Sequence, residues 1–384
     1  MKFLRDFSFE NKRTLVRADF NISLKDGQIV SDFRIGAVLP TIKHLIQEKA
    51  KVILLSHFGR PKDSEEQYSL EVVSQRLSKL LGQEVGFLND CIGSEIEKKV
   101  KDLKPGQVTL LENLRYYDQE KENDPEFAKK LAQLGEIYVN DAFGVIHRAH
   151  ASIVGLPEYL PSCAGMLLEK EIKNLSKVLD KPEHPLTVII GGIKISTKIE
   201  VIKEFLEKVD HLILAGALAN TIISAKGIAI GKSIVEEKMV EEVKRLNLTN
   251  TKLHIPVDVV VSNDPSGKSS SRIAPTGNIE KEEMILDSGP DTNYLFENII
   301  SQSKMIVWNG PMGLFEVEEF ASGSRAIAEA IARSKGFSLV GGGETITLLE
   351  QLNLLDKIDH VSTGGGAMLK FLAREKLPGI EALK

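Results

Sequence analysis

Short apolar, β-branched runs recur along the chain and alternate with amphipathic stretches. The runs lie at residues 14–20, 51–58, 107–111 and 137–143, and again at 186–190, 211–215, 252–261, 305–308, 337–340 and 360–363. Between them, residues 69–81 carry Leu70, Val73, Leu77, Leu80 and Leu81 at helical spacing, and residues 125–134 repeat the pattern. Continuous apolar strands alternating with helices predict α/β architecture with parallel sheets covered on both faces. The chain reads as two doubly wound parallel-sheet (Rossmann-like) halves. The join falls within residues 161–181, where Ile172, Leu175, Val178 and Leu179 keep a helical period that Pro182 and Pro185 end. A helix there would couple the halves more stiffly than a Gly/Ser linker; the other reading is one more surface helix of the second half. No internal repeat is visible.

Composition narrows the class without naming a chemistry. Of 384 residues, 42% are hydrophobic and 27% charged, which suits a globular chain with a large core and excludes disordered and low-complexity classes. A net charge of −5 argues against wholesale nucleic-acid or polybasic membrane binding. Cys91 and Cys163 are too few for a disulfide framework and lack metal-ligand spacing. No apolar run approaches the ~20 residues of a membrane span, and the charged N-terminus lacks a signal-peptide core. The expectation is a cytoplasmic protein.

In open α/β sheets ligands bind outside the carboxyl ends of the strands, so the residues that follow each run are the informative ones. In the first half they are cationic. Arg60 and His57 follow the second run, Arg115 the third, and His147, Arg148 and His150 the fourth, while Arg34 opens a helix after the Asp26-Gly27 turn. Four arginines at one sheet edge repel one another unless an anion binds there, and guanidinium forks match carboxylate and phosphate oxygens. A small, multiply anionic ligand is implied. Arg17 lies inside a strand and reads as a structural ion pair. In the second half the strands lead into glycines at 191–192, 216, 310, 341–343 and 364–366. Glycine admits close backbone approach, and a following helix N-terminus favours negative charge, which implies a phosphate-bearing ligand such as a nucleotide. Lys194 and Lys198, four apart, are expected on one face of the opening helix, in reach of a polyphosphate.

Two motifs fail. Gly227–Ser233 resembles a phosphate-binding P-loop but has three residues between its glycines instead of four, and follows a helical stretch. The dinucleotide GxGxxG fingerprint is absent after the first strand. An acid pocket on one half and a nucleotide pocket on the other predict phosphoryl transfer across a closing cleft, by positioning and charge stabilisation. No catalytic-base motif is evident, which suits a carboxylate acceptor; the spacing leaves Asp19 and Glu344 open as bases.

Residues 14–21, His57–Arg60, Glu112–Arg115, Asp141–Gly144 with His147–His150, Gly191–Lys194 with Lys198, Val307–Glu316, Gly341–Thr345 and His360–Ala367 together resemble phosphoglycerate kinase. The likeness runs in order over nearly the whole chain, to Leu377–Gly379. It implies reversible, Mg²⁺-dependent phosphoryl transfer between ATP and the carboxylate of 3-phosphoglycerate, giving 1,3-bisphosphoglycerate and ADP in glycolysis. It implies an N-terminal 3-phosphoglycerate domain over 1–168, with a tail at 372–384 packing back on it. A C-terminal nucleotide domain over 169–371 follows, with an interdomain helix and a ligand cleft between the two. Carried over residue by residue, the acid site comprises Asp19, Phe20, Asn21, Arg34, His57, Phe58, Gly59, Arg60, Arg115 and Arg148. The nucleotide site comprises Lys194, Lys198, Gly289, Asn309, Glu316, Gly342, Gly343, Glu344 and Thr345, with Glu344 at the metal. Arg34, Lys194, Gly365 and Gly366 would act on the transferring group. The resemblance also implies a monomer with small-molecule partners only.

Departures from the family pattern are Ser23 for proline, Thr197 for aspartate between the two lysines and Ala215-Gly216-Ala217 for a glycine-rich stretch. Glu344 stands for aspartate, and Met368 and Lys370 for serine and glutamate. They motivate the alternative of a non-catalytic nucleotide-binding protein on the same scaffold. A ligase acting through an acyl phosphate would need a second acceptor site, and none is found.

Overall fold

A computed structural model describes residues 1–384. The chain forms two units, Met1–Lys173 with Glu375–Lys384, and Asn174–Arg374, so the division falls inside the helix Met166–Asp180.

In the first unit β1 (Arg13–Arg17) is followed by a two-stranded hairpin, β2 (Leu24–Lys25) and β3 (Gln28–Ile29), turning at Asp26-Gly27. Then come β4 (Lys51–Leu55), β5 (Val85–Leu88), β6 (Val108–Leu111), β7 (Ile137–Asn140) and β8 (Ser162–Ala164). Six of these make a wholly parallel sheet ordered β5-β6-β4-β1-β7-β8. The central strands are buried on both faces, which is why they read as unbroken apolar runs. One core cluster joins Val16, Val52, Leu54 and Val139 to helix residues such as Ile35, Ile42, Val73 and Leu77. The short C-terminal segment belongs to this unit; Gly379 N–H donates to Ile146 O at 3.0 Å, and Leu377 and Leu383 are buried.

The second unit carries β9 (Leu186–Ile190), β10 (His211–Leu214) and β11 (Leu253–His254), then β12 (Asp258–Ser262), β13 (Arg272–Pro275) and β14 (Met284–Ser288). β15 (Met305–Asn309), β16 (Phe337–Gly341) and β17 (His360–Ser362) complete it. Its parallel sheet is ordered β11-β10-β9-β15-β16-β17, and β13-β12-β14 form a separate antiparallel sheet. The single run at 252–261 is therefore two strands in two sheets. Pro256 falls between them, and a residue without an N–H cannot continue a ladder. Residues 18–20, 56–58 and 141–143, at the ends of the expected runs, leave the sheet and carry polar Asp19, His57 and Asp141 beside apolar neighbours. No helix is long and apolar enough to cross a membrane.

Candidate functional site

At the carboxyl ends of the first unit's strands, loops and two helices enclose a polar cavity of about 610 Å³. Arg34, Arg60, Arg115 and Arg148 all line it, with His57, His147, His150, Asp19, Asn21 and Gly59. The loops are tied to one another. Asn21 Oδ1 accepts from Gly59 N–H at 2.8 Å, and Asn113 Oδ1 accepts from Phe58 N–H and Arg115 N–H, both at 3.1 Å. Arg34, in the first turn of the helix Phe33–Gln47, donates to Asn21 O at 2.8 Å and lies 3.4 Å from Asp19 Oδ2. Arg115 donates to Gly59 O at 2.6 Å, while its Nε is buried without a partner. Gly59 holds φ +63°, and a Cβ there would meet the Tyr68 ring at 2.3 Å, so this turn requires glycine on both counts. Phe20 and Phe58 do not line the cavity; their side chains are buried in the core.

Beneath the cavity Arg17 is fully buried. It donates to Ser152 Oγ at 2.8 Å and to His57 Nδ1 at 3.2 Å, and lies 3.9 Å from Glu120. Glu120 in turn accepts from the Ser152 hydroxyl and, at 2.9 Å, from its N–H. Arg17 is thus the structural ion pair its strand position suggests. Burial, and then Arg17, Arg115 and Arg34, hold the His57 imidazole well below its ordinary range. Burial with Arg17, Arg115 and Arg148 lowers His150 to about 4. Even a guanidinium yields: burial, and then Arg17, bring Arg115 down to about 10. These shifts share one physical origin, crowded positive charge partly removed from water.

In the second unit the glycine loops pack edge to edge. Gly192 N–H donates to Pro311 O and Leu218 N–H to Gly192 O, both at 2.9 Å. A Cβ on Gly191 would lie 2.1 Å from Pro311 O. Gly342 and Gly364 each cap a helix, Gly343–Gln351 and Gly365–Leu372, and a Cβ on Gly365 would lie 2.9 Å from Gly342 Cα. Asn309 Nδ2 donates to Gly341 O, and Thr345 Oγ1 accepts from Gly310 N–H, both at 2.9 Å. Beside these loops lies a largely apolar cavity of about 290 Å³, walled by Gly216, Ala217, Val259, Leu286, Met312 and Leu314, with Glu316 and Glu344 among its lining. Gly289, Asn309, Gly342, Gly343, Thr345, Gly365 and Gly366 lie outside that lining, at or beside the carboxyl ends of strands.

The lysines are arranged differently from the sequence expectation. The helix opens at Ile199, with Lys198 as its N-cap; Lys194 sits four residues earlier in a turn, so the two share no helical face. The turn is closed by Lys198 N–H to Ile195 O at 2.8 Å and Thr197 Oγ1 to Lys194 O at 3.0 Å, after Gly192 at φ +96°. Lys194 is exposed. Lys198 points back and donates to Gly191 O, and burial lowers it to about 8 against the pull of Glu344. Gly227–Ser233 follows the helix Ala217–Ala225 rather than a strand, in keeping with a structural turn.

Sequence reasoning did not find the antiparallel sheet's share of the cavity wall, Val259 and Met284–Ser288. The segment 284–288 is short and not markedly β-branched, and only its pairing with β12 places it. Asp287 there is buried, raised to about 7 by that burial, and accepts from Gly323 N–H at 2.8 Å.

A family model described as phosphoglycerate kinase matches residues 4–375. A phosphoglycerate kinase of Dictyoglomus turgidum is 47% identical over 386 residues, covering 99% of this chain and 98% of its own. One of Moorella thermoacetica is 46% identical at the same coverage of both chains. Among solved structures, phosphoglycerate kinase from Coxiella burnetii superposes with TM-score 0.85 at 40% identity. That from Pyrococcus horikoshii OT3 gives 0.89 at 36%, and each comparison covers 100% of this chain and 98% of the other.

Proposed function

The chain belongs to the phosphoglycerate kinase family, and from that premise we propose how its two pockets divide the reaction. It is a phosphotransferase of glycolysis, with 3-phosphoglycerate and ATP or ADP as its small-molecule substrates. The first unit's cavity takes 3-phosphoglycerate. The observation that carries this assignment is the convergence of Arg34, Arg60, Arg115 and Arg148 on one hollow in which His57 and His150 are held neutral. Such a site is repulsive when empty and matched to an acid bearing both a carboxylate and a phosphate. Arg34 faces the reacting carboxylate, and the buried Arg17 holds His57 in place below.

The second unit's apolar cavity takes the adenine and ribose, with Glu316 at the ribose hydroxyls. The capped helix starts at Gly342 and Gly364 offer backbone N–H groups to phosphate oxygens. Lys198 binds the nucleotide phosphates and exposed Lys194 follows the transferring group. The acceptor carboxylate is already ionised at neutral pH, so no base need abstract a proton, and the work left is alignment and charge neutralisation.

Magnesium fits this donor set in one way. No group of three or more His, Cys, Asp or Glu side chains is placed to hold a metal, so a cation would enter with the nucleotide, held by its phosphates and by Glu344 at the first turn of the helix Gly343–Gln351. When bound it neutralises charge on the β- and γ-phosphates. Direct transfer requires the two ligands to meet in the reacting complex. Every assigned residue lies on one chain, and the same reading has the enzyme act as a cytoplasmic monomer. A coupled assay with 3-phosphoglycerate and MgATP tests the whole: magnesium-dependent turnover is expected, and binding of both ligands without turnover would overturn it.

A further inference from the structure

The turn that carries Lys194 has few backbone bonds of its own, and its main outside anchor is a carboxylate. Glu236 Oε2 accepts from Ser196 N–H at 2.8 Å and Oε1 accepts from the Ser196 hydroxyl at 2.6 Å. The segment bearing Glu236 is itself fastened. Its N–H donates to Thr221 Oγ1 at 3.2 Å, and Asn220 Nδ2 donates to Ile234 O at 3.1 Å. Asn220 and Thr221 belong to the helix Ala217–Ala225, and Ala217, Asn220 and Ile234 line the apolar cavity. Glu236 thus links the turn after the β9 strand to the wall of the nucleotide cavity. We infer that Glu236 is a positioning residue for phosphoryl transfer, acting through Lys194 by fixing the turn at Ser196.

This rests on the assignment of Lys194 to the transferring group. Burial raises the Glu236 carboxyl, but Ser196, Ile195 and Lys194 outweigh it and hold it below its ordinary range, so it is ionised at neutral pH and accepts these hydrogen bonds as an anion. A charge-assisted pair on one residue fixes both the direction and the height of the turn. Lys194 is exposed and its carbonyl is held by the Thr197 hydroxyl, so the location of its ammonium follows its backbone. Misplacing a catalytic group by about 1 Å costs about a hundredfold in rate. Glu236 does not touch the cavity itself, so its loss acts on turnover and not on substrate affinity.

The test is a double-mutant cycle of Glu236→Ala with Lys194→Ala, read as kcat and as KM for each substrate, with thermal unfolding alongside. The expected result is a fall in kcat of about ten- to a hundredfold for Glu236→Ala with both KM values within about twofold, and no further fall when the change is made in Lys194→Ala. Ser196→Ala, which keeps the backbone donor, should give a smaller fall that disappears in the Glu236→Ala background. An unchanged kcat in Glu236→Ala, or the same loss with and without Lys194, overturns the inference. Wild-type enzyme is the control: absence of turnover there speaks against the kinase assignment, whereas normal wild-type turnover with an additive cycle speaks only against Glu236.

Discussion

The first unit's cavity stores positive charge that it can release, and Arg115→Met measures how much. Burial and Arg17 bring the Arg115 guanidinium from its ordinary 12.5 to about 10. A drop of about 2.5 pH units at 1.36 kcal/mol each sets a ceiling of about 3 kcal/mol of unfavourable interaction in the ligand-free protein. The side chain is partly exposed, and solvent screening reduces this to about 1–2 kcal/mol. Methionine keeps much of the packing volume but loses the hydrogen bond to Gly59 O, which costs about 1 kcal/mol. The variant should therefore be as stable as the wild type, or up to about 1 kcal/mol more stable, at low ionic strength without ligand. The order reverses with substrate: at a hundred times its Kd a ligand adds about 2.7 kcal/mol, and 3-phosphoglycerate should give that gain to the wild type and little of it to the variant. Urea unfolding separates the units, because the chain's one tryptophan, Trp308, is buried in the second. Fluorescence follows that unit and far-ultraviolet circular dichroism follows both. A ligand-free variant destabilised by ~1 kcal/mol or more in the first unit's transition would refute the reasoning.

Replacing Arg34 by alanine should lower kcat about 10²–10³-fold while leaving MgADP affinity nearly unchanged, since that charge acts mainly on the transferring group; calorimetry with ADP and steady-state kinetics check both halves. His150, held at about 4 by burial and the surrounding arginines, is raised by an anionic ligand, so 3-phosphoglycerate should move the titration of its ring upward. Proton NMR of the imidazole, titrated with and without ligand, reads the shift, and an unmoved or lowered titration would contradict it. Without ligand the sign is opposite to that of a stabilised cation. The unfolded chain binds the proton more readily between about pH 4 and 6.5, so this group makes stability rise with pH through that window. Gly310→Ala should weaken MgADP binding by about tenfold or more, because φ +93° is strained for alanine and its Cβ would lie 2.9 Å from Lys198 Nζ.

The legible parts of this fold were those where a single segment carries its own signal. Strands β4, β7, β9 and β15 are buried on both faces and announce themselves as apolar runs. The arginines that follow strands converge because a parallel sheet delivers every carboxyl end to one edge. What escaped depends on pairing across the chain. Of the antiparallel sheet only β12 showed, inside the run 252–261: Arg272–Pro275 is a short edge strand and Met284–Ser288 has no β-branched run, yet the sheet walls the nucleotide cavity. The four-residue spacing of Lys194 and Lys198 suggested a helix face, but the glycine pair before them and the Thr197 hydroxyl on the Lys194 carbonyl set a turn that delays the helix to Ile199. Phe20 and Phe58 sit within motifs whose polar neighbours face the cavity while they face the core.

The central claim is that each unit holds a different ligand. Amide chemical shifts recorded during separate titrations test it most directly. 3-Phosphoglycerate alone should shift Gly59, Arg60, Arg115 and Arg148 most strongly, and MgADP alone should shift Gly192, Ala217, Leu314 and Gly343. The largest 3-phosphoglycerate shifts at the glycine loops, or the largest MgADP shifts among the arginines, would contradict the account.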